Sequence, residues 1–145
     1  MPTPSAAHQS LVMWAVRKMQ ADGFIPVAYD GCLPQFDCLR QLLASPNLDG
    51  LRPDAFGYSY PDDLFALAEA KTTEDLQSVH TKLQLRHYKA LIARSSRTRI
   101  YLAVPRSAAL ILDYVLKEAG LLITPPIKRL HIPDCFIFEG GVTHA

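Results

Sequence analysis

No stretch of this chain reaches the roughly 18 consecutive apolar residues that a membrane-spanning helix needs. The opening MPTPSAAHQS has no basic segment leading into an apolar one, so no signal peptide is expected. Cysteine is scarce. Cys32, Cys38 and Cys135 form an odd, widely spaced set that does not make a disulfide framework and fits a reducing, cytoplasmic setting. Taken with His131, their C-x5-C and H-x3-C spacings are not the paired knuckles of structural zinc sites. Also missing are a Ser-His-Asp arrangement, a glycine loop to cradle phosphate and a dinucleotide fingerprint. There is no internal repeat and no low-complexity segment beyond residues 1–5, which are expected to fray.

What is present is the material of one compact domain spanning residues 1–145. Hydrophobic residues make up 49% and charged residues 20%, which excludes a disordered chain. The formal net charge of +1 hides an asymmetry. Residues 22–75 hold ten acidic and three basic side chains, whereas residues 76–112 hold no acid at all. That second stretch carries Lys82, Arg86, Lys89, Arg94, Arg97, Arg99 and Arg106. Such a zone is either a solvated face or an attractor for phosphate backbones.

The periodicities give an ordered set of elements. SAAHQSLVMWAVRKMQADG reads as an amphipathic helix stopped by Gly23. FIPVAYDG reads as a short strand with Pro26 at an edge or an irregular start. Within 32–51, FDCLRQLLAS suits one helical turn or two before a PNLDG turn. PDAFGYSY and LFALAEAKT read as two strands joined at PDD, the second buried on both faces. A long helix is expected over 73–93, opened by Thr72 and Asp75, with Leu76, Val79, Leu83 and Ala90 near one face and Gln77, His80, Gln84 and Tyr88 on a more polar one. RIYLAVP is a buried strand, and SAALILDYVLKEAG is a helix with Ser107 as its N-cap and Gly120 as its stop. The tail suits one or two strands broken by prolines. The order α-β-β-β-α-β-α-β specifies an α/β domain with a mixed central sheet flanked by helices.

The chemistry concentrates in RPDAFGYSYPDDLFALAEAK. Residues two apart on a strand face the same side, so Glu69 and Lys71 point together. If Ser59 pairs with Leu64, counting back sets Asp54 opposite Glu69. Opposed carboxylates about 5 Å apart repel each other, and one of them tends to hold its proton. A divalent cation resolves that conflict. Hard oxygen ligands select Mg²⁺ (or Mn²⁺), which typically keeps water and substrate phosphate in its remaining positions. The carbonyl of Ala70 is a reasonable third ligand, and Lys71 could hold the attacking water or the phosphate. The plainer alternative is a turn aspartate beside an exposed ion pair worth under about 1 kcal/mol, but a polar pair closing a buried strand calls for a reason. Asp62 and Asp63 read as turn formers. Tyr58 and Tyr60 suit packing, with base stacking as the alternative.

Pro53-Asp54 followed by Glu69-Ala70-Lys71 resembles the PD-(D/E)xK nuclease superfamily, nearest in pattern to Holliday-junction-resolvase-like and VRR-type members. The resemblance covers residues 5–105 and implies a restriction-endonuclease-like core. It implies an Mg²⁺-dependent endonuclease in which Asp54 and Glu69 bind metal and Lys71 assists the water. QLRHY supplies the glutamine and tyrosine that many members carry on the next helix, here Gln84 as a catalytic assistant and Tyr88 as its support. The family's first-helix acid is missing, and His8 stands near that point in a supporting place. Nucleic acid, DNA in the first instance, is the partner implied, with Lys82, Arg86, Lys89, Arg94, Arg97 and Arg99 along its backbone. No membrane partner is expected; a homodimer or a partner protein supplying specificity stays open, as do a non-catalytic binding module and a purely structural role.

Overall fold

The structure is a computed structural model and describes residues 5–29 and 53–137. The expected elements over 32–51, together with Cys32 and Cys38, lie outside the described residues, as do residues 1–4.

Helix α1 (Ala6–Ala21) starts where the Ser5 side chain accepts the His8 N–H, which satisfies one of the open amides of the first turn. It buries Leu11, Val12, Ala15, Val16 and Met19. Gly23 ends it at φ +96°, and the Phe24 N–H returns to the Met19 carbonyl at 2.9 Å, a left-handed stop that glycine adopts without strain. Five strands follow: β1 (Ile25–Tyr29), β2 (Ala55–Ser59), β3 (Leu64–Ala70), β4 (Thr98–Pro105) and β5 (Ile127–Ile132). They form one sheet in chain order. The first three run antiparallel, while β3, β4 and β5 are parallel. The chain is therefore an α/β protein with a mixed sheet flanked by helices.

The β2–β3 hairpin has the register expected from its turn: Ser59 faces Leu64 and Ala55 faces Ala68. Asp63 takes φ +55° in the turn, a conformation that aspartate tolerates. The Tyr58 hydroxyl donates to Asp63 at 2.6 Å, so Tyr58 is committed to the turn, while Tyr60 is exposed.

Strand β3 sorts its side chains by parity. Ala66, Ala68 and Ala70 face α1, in one core with Leu11, Met19 and Tyr101. Phe65 and Leu67 face the other way, in a second core with Leu85, Leu91 and Leu112. The alanine face lets α1 lie close to the sheet. At Gly57 the space is tighter still, since an added Cβ would meet Met19 Cε at 2.8 Å and the Ile25 carbonyl oxygen at 3.2 Å. Gly57→Ala is therefore expected to destabilise the fold by about 1–3 kcal/mol through overpacking, read as a lower urea midpoint with unchanged slope.

Two sequence expectations are corrected. The long helix over 73–93 is broken into a single turn, α2 (Thr73–Leu76), and a full helix, α3 (Val79–Arg94). Ser78 causes the break, because its side chain accepts the Thr81 N–H as the N-cap of α3 and donates to the Asp75 carbonyl. The interruption resets the helical phase. Thr81, Leu85, Tyr88 and Leu91 are buried, whereas Val79 and Leu83, expected on the apolar face, are 72% and 47% exposed. The second correction concerns helix α4 (Ala109–Glu118). It follows a 3-10 turn over Arg106–Ala108, and Ser107 is no N-cap. Its N–H and hydroxyl both donate to Asp134 instead, at 3.0 and 2.5 Å. The tail resolves into β5 and a 3-10 turn over Asp134–Phe136. No helix among the described residues is long and apolar enough to cross a membrane.

Candidate active site

Glu69 belongs to the parity of Phe65 and Leu67, so β3 carries its carboxylate into the apolar layer under α3, where it is 2% exposed. Continuing the register from Ala55–Ala68 by one step sets Asp54 opposite Glu69. Asp54 Oδ2 accepts the Ala70 N–H at 2.8 Å and lies 3.1 Å from His8 Nε2. The amide fixes the aspartate to the end of β3, and the imidazole ties it to the first turn of α1. Lys71 continues the parity of Glu69, and its Nζ lies 4.0 Å from Glu69 Oε2.

From the helical side, the Tyr88 hydroxyl donates to Glu69 Oε1 at 2.6 Å. Tyr88 is drawn inward by this bond, since a buried carboxylate needs donors. One turn earlier, Gln84 lines the same small cavity as Glu69 and Lys71, together with Thr81 and Leu112. The cavity holds about 10 Å³, room for one water. Gln84 Oε1 is buried there with no hydrogen-bond partner among the described residues. Such an acceptor is expensive to bury without a donor, and the water-sized space beside it supplies the place for one.

Burial, and then the Asp54 charge, push the Glu69 carboxyl up to about 8, against the lowering effect of Tyr88 and Lys71. At neutral pH, without a cation, Glu69 is therefore protonated. Tyr88 is pushed up as well, first by burial and then by the Glu69 charge, so it stays a donor.

A cation would find a consistent donor set here. Two opposed carboxylates, one of them held protonated by burial and by the charge of the other, are hard oxygen ligands that a cation would neutralise. Among the described residues no group of three or more His, Cys, Asp or Glu is placed to hold a metal. The fit is thus to an ion taking two carboxylates, with its remaining positions left to a carbonyl, water or phosphate, and not to a cage of protein ligands.

The structure brings Asp54, Glu69, Ala70, Lys71, Gln84, Tyr88 and His8 together at one end of the sheet. It does not bring Lys89, Arg97 or Arg99 with them. Arg97 pairs with Asp63 at the hairpin turn, and Arg99 donates to the carbonyls of Ser96 and Thr98. Arg99 faces Ala66 and Leu102 faces Glu69, so Arg99 and Arg97 lie three and five strand residues from Glu69, roughly 10 and 17 Å. Lys89 extends over Gly120, where its Nζ would sit 2.6 Å from an added Cβ, at the negative end of α4. Sequence reasoning missed Thr81, which is buried in the site's wall and donates to the Asp75 carbonyl at 2.6 Å; the Ser78-to-Thr81 spacing of a capped helix start was its only signal.

Comparison of the chain with protein-family models, with curated proteins and with solved structures found no match. The functional reading therefore rests on the residues and their geometry.

Proposed function

We propose that this chain is a metal-dependent nuclease that hydrolyses phosphodiester bonds in DNA, built on a restriction-endonuclease-like core of the PD-(D/E)xK type. The observation that carries the reading is the convergence of Asp54, Glu69 and Lys71 at the end of β3, with Tyr88 of α3 on the Glu69 carboxylate and Gln84 lining the same cavity.

Asp54 and Glu69, with the Ala70 carbonyl, would hold Mg²⁺ or Mn²⁺, which when bound supplies charge neutralisation at phosphate and a more acidic water. The chain's own groups do the rest. Tyr88 fixes one oxygen of Glu69 and leaves the other facing Lys71. Lys71 offers its ammonium to the attacking water or to the charge that develops on phosphate. Gln84 Oε1 accepts a hydrogen bond from that water and orients it for in-line attack. Ala70 and His8 keep Asp54 from rotating out of the site.

The test is incubation of purified protein with plasmid, linear, single-stranded and branched DNA in Mg²⁺, in Mn²⁺ and in EDTA, beside Asp54→Asn. Cleavage in either metal, lost in EDTA and in the variant, is expected. A second reading, a binding module on the same core, draws on the presence of His8 where a further carboxylate would complete a second metal position. Salt-sensitive DNA binding without turnover in any metal would replace the nuclease reading with that one.

A further inference from the structure

Between α3 and α4 lies a second concavity of about 320 Å³, near the lower size of small-ligand sites and close to the bulk of one nucleotide. Buried Leu85 lines both this groove and the Glu69 cavity. Lys82 and Arg86, one helical turn apart, edge it from α3, and Tyr114 and Glu118 edge it from α4. Tyr114 is 58% exposed, an aromatic face left to solvent beside two cations. Among the described residues neither Lys82 nor Arg86 forms an ion pair. Arg97, by contrast, pairs with Asp63, and Lys89 extends over Gly120 at the end of α4.

We propose that this groove is a binding site for one unstacked nucleotide of a single-stranded nucleic acid, with Lys82 and Arg86 on its phosphates and Tyr114 against its base. Charge complementarity selects the occupant, because two uncommitted cations against the single acid Glu118 favour an anion, and guanidinium and ammonium groups suit phosphate oxygens. The exposed tyrosine selects the second half of the ligand, since base stacking on an aromatic ring tolerates any sequence. The groove's size selects the strand state: a base inside a duplex cannot reach a side-chain platform, whereas a splayed one can. Glu118 and Gln77 offer an acceptor and an amide to the base edge. The site's use in holding a substrate beside Glu69 rests on the nuclease reading; the binding itself does not.

The experiment is fluorescence anisotropy in EDTA, where cleavage does not enter, with a labelled 12-residue oligothymidylate and a mixed-sequence duplex of equal length. The single strand is expected to bind more tightly than the duplex. Tyr114→Ala should weaken it about 10-fold or more and Tyr114→Phe should not, while the Lys82→Ala/Arg86→Ala pair should lower the salt slope by about 1.4. All three positions are exposed, so the fold is not at risk. Equal binding by Tyr114→Ala, a duplex preference, or capture of poly-glutamate in place of DNA overturns the site. Groove-dependent binding by a wild-type protein that cleaves nothing would sink the nuclease reading and leave this site standing.

Discussion

Lys71→Ala is expected to lower metal-dependent cleavage about 100- to 1,000-fold, the loss typical of removing one preorganised donor from a developing charge, and to leave thermal stability nearly unchanged. The second half of this expectation is the more informative. A lysine 12% exposed and 4.0 Å from a buried carboxylate looks like a structural counter-ion, whose removal would cost several kcal/mol by stranding a charge. Yet Glu69 is held protonated, chiefly by burial, with its carboxyl up at about 8. At pH 7 there is little charge on Glu69 to strand. On the proposed reading, the ammonium serves the water or phosphate of a bound substrate. Cleavage rates and melting temperatures of the variant, each with and without Mg²⁺, check both halves. A lost fold would make Lys71 structural, and undiminished cleavage would remove it from the mechanism.

The geometry of the candidate site was legible in the sequence because short-range geometry fixes most of it. A tight turn at Asp62-Asp63 sets the Ser59–Leu64 pair, and strand parity then carries Glu69 and Lys71 to one face without any further information. Gln84 and Tyr88 follow from the helical repeat. What could not be read required knowledge of packing. The phase of α3 depends on Ser78 choosing to cap a new helix, and a serine inside an apolar-periodic run gives only a weak sign of that. The resemblance set His8 near the site, but its bond to Asp54 spans 46 residues of chain, and a lone histidine in a first turn carries no local signal of its partner. The placement of the cationic stretch was not legible either. Counting charges along residues 76–112 takes no account of helix faces or strand ends, and the fold disperses them: Lys82 and Arg86 to a groove, Lys89 to the end of α4, Arg97 and Arg99 to the far end of the sheet.

The second large effect concerns pH. A Glu69 carboxyl raised from 4.5 to about 8 in the fold means that between those values the folded protein binds a proton that the unfolded chain has released. Stability is then fully present below about pH 4.5, falls as pH rises through the window, and levels off above about 8. The loss attributable to this one group reaches several kcal/mol, on the order of 10 °C in melting temperature. Because the pH dependence of the whole protein sums many groups, the decisive quantity is the difference between wild type and Glu69→Gln in EDTA. The glutamine keeps an acceptor for Tyr88 and has no proton to lose, and its curve should be flatter between pH 5 and 8. Mg²⁺ should act oppositely on the wild type. Because it requires the deprotonated carboxylate, it should raise the melting temperature more at pH 8 than at pH 6, and should do so little in the variant. Parallel curves for the two proteins would mean that Glu69 carries its charge in the fold without help. The case for a cation at this carboxylate pair would then lose its strongest physical support, because burial would no longer create the deficit that the metal fills.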